Sequence, residues 1–130
     1  MNEINEPNRQ PMTITLYGIS SCDTVKKARA FFKAQGVACD FVDFKKQGVP
    51  ADRLESWIKA LGWQPLLNRQ GSTWRALDEA VKASVTDATS AIVVMTANPS
   101  CIKRPVVEWG SGVVTVGFDE ARFLERLANL

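Results

Sequence analysis

A strand, a helix and a second strand near the start of the chain restrict the fold more than any other feature of the sequence. Residues 13–17 (TITLY) are β-branched and aromatic and lead into Gly18, which predicts a short buried strand followed by a tight loop. Residues 22–35 carry an apolar stripe at helical spacing that stops at Gly36, and residues 39–44 (CDFVDF) predict a second strand. The stripe consists of Val25, Ala28, Phe31 and Phe32. This unit has about the minimum length for a parallel crossover.

The rest of the sequence predicts several helices, a hairpin and a terminal helix. Helical spacing recurs in three segments, residues 54–61, 75–83 and 88–95, the last behind a Thr86 or Asp87 cap. Strand signals return in residues 106–109 and 113–116, which residues 110–112 join as a hairpin turn. Asp119 caps a terminal helix whose expected apolar side comprises Phe123, Leu124, Leu127 and Leu130. This order predicts an α/β, thioredoxin-like fold: βαβ, a helical insertion of about residues 50–98, then ββα, in a four-stranded mixed sheet with helices on both faces.

The domain organisation follows from the distribution of apolar residues. Residues 1–11 combine asparagine, proline and glutamate with no apolar segment, which predicts a disordered tail rather than a signal peptide. No apolar run is longer than residues 91–95, so a transmembrane helix is excluded. We expect one domain over residues 12–130, located in the cytoplasm, with no membrane partner.

The absence of histidine limits the chemistry. With no His in 130 residues, Ser-His-Asp and Cys-His catalysis and His-containing zinc sites are excluded. The net charge of +2 is too small to indicate nucleic-acid binding. The three cysteines are too widely spaced for a disulfide framework or a metal knuckle, so we expect no metal. Cysteine is then the side chain most easily tuned to titrate near pH 7.

Cys22 is the candidate nucleophile because it lies in the first turn of the predicted helix, where unpaired N–H groups favour a thiolate. Lys26, one turn on, adds positive potential, and Asp23 opposes it. A buried, inert thiol is the alternative. Because Val25 stands where a CxxC motif has its second cysteine, a second thiol must come from Cys39, Cys101 or a small thiol such as glutathione.

The other two cysteines have different expected roles. Cys39 opens a strand predicted to be buried, which favours core packing. Cys101 lies in a polar loop near basic residues, where a resolving role stays open.

Two arginines are candidates for binding an anion. Arg104 precedes Pro105, and an Arg-Pro bond in a tight turn is a candidate cis peptide that would fix the direction of the arginine. A guanidinium there can hold a carboxylate or oxyanion in two hydrogen bonds, although a solvated basic turn is the alternative. Arg69 lies in a loop, and its alternative role is a plain surface charge.

With these residues in place, the chain resembles the arsenate reductase-like (ArsC/Spx) family, and within it the YffB-like branch of glutathione-dependent thiol reductases. The resemblance spans nearly everything after the tail. Its motifs are Leu16-Tyr17-Gly18-Ile19, Cys22-Asp23-Thr24, Lys26-Lys27-Ala28-Arg29, Leu67-Asn68-Arg69 with Gly71, Thr73 and Arg75, Ile102-Lys103-Arg104-Pro105, and Val116-Gly117-Phe118. The resemblance implies that Cys22 is the nucleophilic thiol, that Arg104 stands beside it before a cis Pro105, and that Arg69 approaches the same pocket.

The resemblance leaves three functions open: a thiol-dependent reductase with glutathione as co-substrate, a noncatalytic Spx-type regulator that binds RNA polymerase, and a true arsenate reductase. Arsenate reductases proper carry a further arginine in the strand after the Arg-Pro segment, and residues 113–116 contain none. Spx regulators switch through a CxxC pair, which Val25 interrupts. We therefore favour the reductase, with no bound cofactor, acting on an oxidised or anionic small molecule.

Overall fold

The computed structural model describes residues 13–130, and the expected tail of residues 1–11 lies outside them. The strands are β1 (Ile14–Gly18), β2 (Cys39–Asp43), β3 (Val106–Glu108) and β4 (Val114–Val116). The helices are α1 (Asp23–Ala34), α2 (Phe44–Gln47), α3 (Ala51–Leu61), α4 (Ser72–Ala76), α5 (Glu79–Ala83), α6 (Ala88–Ala97) and α7 (Glu120–Ala128), with a 3₁₀ turn at Pro99–Cys101.

The four strands form one mixed sheet in the order β2-β1-β3-β4. β1 pairs in parallel with β2 and antiparallel with β3, and β3 pairs antiparallel with β4. β1 and β3 are therefore the central strands, and β2 and β4 are the edges. The predicted α/β, thioredoxin-like fold with a four-stranded mixed sheet is confirmed.

Apolar side chains cover both faces of the sheet. Because strand side chains alternate between faces, Leu16 and Val107 pack on one face with α1 and α7, whereas Tyr17 and Val106 pack on the other with α3 and α6. Each core contains one fully buried tryptophan: Trp109 on the α1 face and Trp57 on the α3 face. The sheet therefore fixes where α1 begins, and with it the position of Cys22.

The end of β2 and the helix predicted over residues 75–83 differ from the predictions for reasons that the structure shows. The strand predicted over residues 39–44 ends at Asp43, because the Asp43 side chain accepts a hydrogen bond from the Lys45 N–H (2.9 Å) and starts α2. The helix predicted over residues 75–83 is two short helices, α4 and α5, because the backbone at Leu77 is extended. In both places the local backbone conformation overrides the pattern of apolar residues.

The apolar side of α7 is narrower than predicted. Phe123 is buried and Leu127 packs beside it, but Leu124 is 43% exposed. Leu130, 46% exposed, lies beyond the helix end. Neither Leu124 nor Leu130 belongs to the core.

Within residues 13–130, the helices are all too short or too polar to cross a lipid bilayer.

Candidate active site

The loop between β1 and α1 holds Cys22. The Cys22 N–H donates to the carbonyl of Ile19 (3.0 Å), and the Cys22 carbonyl accepts from the Lys26 N–H (2.9 Å). Cys22 is therefore the N-cap of α1, with an extended backbone, and not a residue of its first turn as the sequence predicted. The half-buried thiol lies where the N–H groups of the first turn have no helical partners.

Five influences set the pKa of Cys22. Burial of the thiol raises it. The Val25 N–H, the Arg104 side chain and the Thr24 N–H all lower it, since each is directed so that it favours the thiolate over the neutral thiol. Arg104 adds the attraction of its positive charge. The net effect places the pKa of Cys22 below its ordinary value, so the nucleophilic form is favoured.

Arg104 is held rigidly beside this thiol. One guanidinium nitrogen, Nη1, donates to the carbonyls of Ser100 (2.9 Å) and Ile102 (3.0 Å). The Nε atom is buried and has no hydrogen-bond partner among the described residues. Two backbone bonds thus orient the guanidinium, and its buried Nε–H is left without an acceptor among the described residues.

The peptide bond between Arg104 and Pro105 is cis, as predicted. Its surroundings fix this turn: the Lys103 N–H donates to the Leu66 carbonyl (2.7 Å), and the Gly117 N–H donates to the Pro105 carbonyl (2.8 Å). Gly117 has φ +90°, a conformation that other residues rarely adopt. In the described chain, no backbone hydrogen bond engages the N–H or carbonyl of Arg104 itself.

Arg69 lies in a loop joined to the Arg104 segment. Leu67 and Ile102 form an antiparallel bridge, and the Asn68 N–H donates to the Cys101 carbonyl (2.7 Å). The guanidinium of Arg69 is exposed and lies 5.3 Å from the ring centroid of Trp63. The structure thus brings the two loops together and leaves the Arg69 charge over a tryptophan.

Lys26 lies one turn beyond Cys22, and its side chain is exposed. Among the described residues, the side chains of Lys26 and Arg69 make no hydrogen bond to the Cys22 sulfur. Of the predicted charged residues, the structure places only Arg104 against the thiol.

The pKa values of the two other cysteines shift upward, in the direction opposite to that of Cys22. Burial, followed by the charge of Asp40, raises the pKa of half-buried Cys39 to about 11. Cys101 is fully buried, and burial raises its pKa too. The polar loop predicted around Cys101 is wrong: the 3₁₀ turn and the bridge to Leu67 carry this residue into the core on the α3 face.

Asp43 is a site residue that the sequence analysis missed. The pKa of its carboxyl is lowered, first by the Lys45 N–H and, against the opposing effect of burial, by a hydrogen bond from Ser20. Ser20 lies in the loop that carries Cys22, so this loop and the end of β2 are neighbours. An aspartate after a strand and before Lys45-Lys46 is a helix N-cap signature that could have indicated it.

A model of the ArsC family matches residues 17–126, which include the Cys22 loop, α1 and the Arg104 turn. The chain belongs to the ArsC family. A protein of Haemophilus influenzae is 38% identical over 110 residues, covering 85% of this chain and 95% of that protein.

Two solved structures agree with this membership. The structure of a protein named YffB is 46% identical, covers 88% of this chain and 98% of its own, and has a TM-score of 0.82. An arsenate reductase (ArsC) related protein from Brucella melitensis is 43% identical, with coverages of 89% and 95% and a TM-score of 0.70. An arsenate reductase from Vibrio cholerae, 18% identical with a TM-score of 0.72, shares the fold.

Proposed function

We propose that this ArsC-family protein is a thiol-dependent oxidoreductase in which Cys22 is the nucleophile and glutathione is the co-substrate. The observation that carries the proposal is the surroundings of the Cys22 sulfur. Two helix N–H groups and the Arg104 guanidinium act on it together and lower its pKa. A thiolate held in this way attacks disulfide sulfur far faster than a neutral thiol does.

The proposed reaction has two thiol exchanges. The Cys22 thiolate attacks the glutathione sulfur of a mixed disulfide, forms a Cys22–glutathione disulfide and releases the substrate as a thiolate. A second glutathione thiolate then attacks the glutathione sulfur of that intermediate, which yields oxidised glutathione and restores the Cys22 thiolate. One free glutathione is consumed: its sulfur is oxidised, the substrate sulfur is reduced to a thiolate, and oxidised glutathione forms from the free glutathione and the one in the mixed disulfide. The free glutathione replaces the resolving cysteine that Val25 does not supply.

Glutathione is a tripeptide with two carboxylates, and the residues near Cys22 have matching chemistry. We assign the unpaired Nε–H of Arg104 and the charges of Arg69 and Lys26 to these carboxylates or to an anionic substrate. The open backbone groups of Arg104, at the cis Pro105 turn, can pair with the peptide backbone of glutathione. The proposal places the protein in the cytoplasm, where glutathione is the abundant thiol, without a bound cofactor, nucleic acid or membrane partner.

Substitution of the nucleophile tests the proposal. Turnover of a small glutathione mixed disulfide is measured with glutathione, glutathione reductase and NADPH, for the wild type, Cys22→Ser and Cys39→Ser. We expect Cys22→Ser to abolish turnover, since a hydroxyl does not exchange with disulfides, and Cys39→Ser to retain it. Equal turnover by the wild type and Cys22→Ser would contradict the proposal. An inactive wild type would instead favour the noncatalytic role of a regulator that binds RNA polymerase.

Arsenate reduction is the second candidate because the Brucella melitensis relative is described as arsenate reductase related. The residues of β4, and Val113 before it, include no arginine, so the charge that arsenate reductases proper have there is missing. We therefore expect arsenate-dependent oxidation of NADPH in the same coupled assay to stay at the level of the Cys22→Ser variant.

A further inference from the structure

A groove of about 430 Å³ lies between α1 and the edge strand β2, away from the Arg104 turn. Its lining combines positive charge with apolar surface. The charged members are Lys26, Arg29 and Lys33, and the apolar members include Phe32, Val37 and Phe41.

The three cations form a line that leads away from Cys22. They follow it in sequence by four, seven and eleven residues, which places them on one face of α1. All three are exposed, and none forms an ion pair with another residue in the described part of the chain. Asp40 on β2 is the acidic neighbour of this groove, since its charge acts on Cys39 in the lining. The line of cations is therefore open to an anionic partner.

The floor and rim of the groove suit an extended chain. The Arg29 guanidinium lies 4.1 Å from the centroid of the Phe41 ring, so the cation and the apolar floor form one continuous surface. β2 is an edge of the sheet, so its outer backbone N–H and carbonyl groups have no strand partner in the described chain. An added strand at such an edge gains backbone hydrogen bonds, while side-chain pockets select its sequence.

From these features we propose that the groove binds a protein substrate through an acidic, partly apolar segment in extended conformation. The proposal rests on the thiol-dependent reaction and names its substrate class: proteins that carry a glutathione mixed disulfide near such a segment. The apolar floor and the strand edge favour a peptide over a nucleic acid, as does the net charge of only +2.

The length of the groove sets the spacing in such a substrate. From Cys22 to Lys33 the helix rises about 16 Å, at about 1.5 Å per residue. An extended peptide covers this distance in about five residues, at about 3.3 Å each. The acidic segment should therefore lie within about five residues of the modified cysteine.

A binding measurement tests the docking surface independently of turnover. The probe is a short fluorescein-labelled peptide that alternates glutamate with valine, titrated against the full chain in a fluorescence anisotropy assay. Lys33→Glu reverses a groove charge, and Lys27→Glu makes the same change on the same helix outside the groove lining. We expect Lys33→Glu to weaken binding about tenfold and Lys27→Glu to change it less than about twofold.

Three results would overturn the proposal: equal binding of a peptide with lysine in place of glutamate, equal loss in the two variants, or Lys33-dependent binding of a single-stranded oligonucleotide without binding of the acidic peptide. Each would show that the groove does not select acidic peptides.

A turnover measurement separates this proposal from the proposed reaction. The glutathione mixed disulfide of an acidic peptide is compared with that of 2-mercaptoethanol. We expect Lys33→Glu to lower kcat/KM about tenfold for the peptide alone, since the small disulfide extends no farther than Lys26 and does not reach Lys33. Equal kcat/KM values of Lys33→Glu and wild type on the peptide would overturn the docking surface while leaving the reaction intact. Lack of wild-type turnover on both disulfides would overturn the reaction and, with it, this substrate class.

Discussion

At the scale of single residues, each side chain around the site has one identifiable physical task. Cys22 gains its thiolate character from N–H groups that the helix cannot pair internally and from a guanidinium fixed by two carbonyls. On the α3 face of the sheet, Glu108 has a structural task as a shared hydrogen-bond acceptor. Its carboxylate accepts from the Tyr17 hydroxyl (2.9 Å), the Trp57 indole N–H (2.8 Å) and Arg53 (3.2 Å). It thereby joins β1, β3 and α3.

The substitution Glu108→Gln tests this junction. The amide has one acceptor oxygen where the carboxylate has two, and it removes the counter-charge of Arg53. Because the Glu108 side chain is only 19% exposed, we expect the free energy of unfolding to fall by about 1–3 kcal/mol. Urea unfolding followed by circular dichroism measures it. Glu125→Gln, on the exposed side of α7, serves as the control, and equal effects of the two variants would contradict the role of Glu108.

At the scale of elements, close approach of β1 and α1 sets the position of the thiol. A Cβ atom at Gly18 would lie 2.6 Å from Cγ2 of Val25, which is closer than real contacts allow. Val25 is fully buried in the first turns of α1, and its branched side chain has little freedom to move. Glycine at the end of β1 therefore lets α1 begin against the sheet.

The substitution Gly18→Ala should push α1 outward. We expect it to destabilise the fold by about 1–3 kcal/mol and to raise the pKa of Cys22, because the helix N–H groups move relative to the sulfur. The control is Gly18→Ala in a Val25→Ala background, where the clashing methyl groups are gone. A cost there as large as in the wild-type background would contradict the steric explanation.

The sequence predicts the elements better than it predicts the site. Strands β1, β3 and β4 lie within one residue of their predicted bounds, because alternation of apolar residues is a local signal. The burial of Cys101 and the position of Arg69 depend on the bridge between Leu67 and Ile102, which are far apart in sequence. No local pattern encodes that pairing. Only the family resemblance predicts that Arg104 lies beside Cys22. The spacing of residues alone is equally consistent with a solvated basic turn.

At the scale of the whole molecule, one sheet carries two cores on its opposite faces. β1 and β3 contribute side chains to both, so neither core can lose its packing without exposing these central strands. β1 ends at the loop that carries Cys22, and β3 begins directly after the Arg104 turn. Stability and site geometry therefore depend on one structural unit.

We propose that residues 12–130 unfold as a single domain. In urea, tryptophan fluorescence, to which Trp57 and Trp109 in the two cores contribute, should give the same midpoint as far-UV circular dichroism. Midpoints that differ beyond fitting error would show that the two faces unfold separately and would contradict the single domain.

The central claim is that the fold lowers the pKa of Cys22 through Arg104 and the start of α1. The most direct test is the alkylation rate of each cysteine against pH, resolved by peptide mass spectrometry, for the wild type and Arg104→Ala. We predict a Cys22 midpoint below the unperturbed value of about 8.5, moving upward in Arg104→Ala. We predict a Cys39 midpoint near 11 in both proteins. A wild-type Cys22 midpoint at or above about 8.5, or one that Arg104→Ala does not move, would contradict the account.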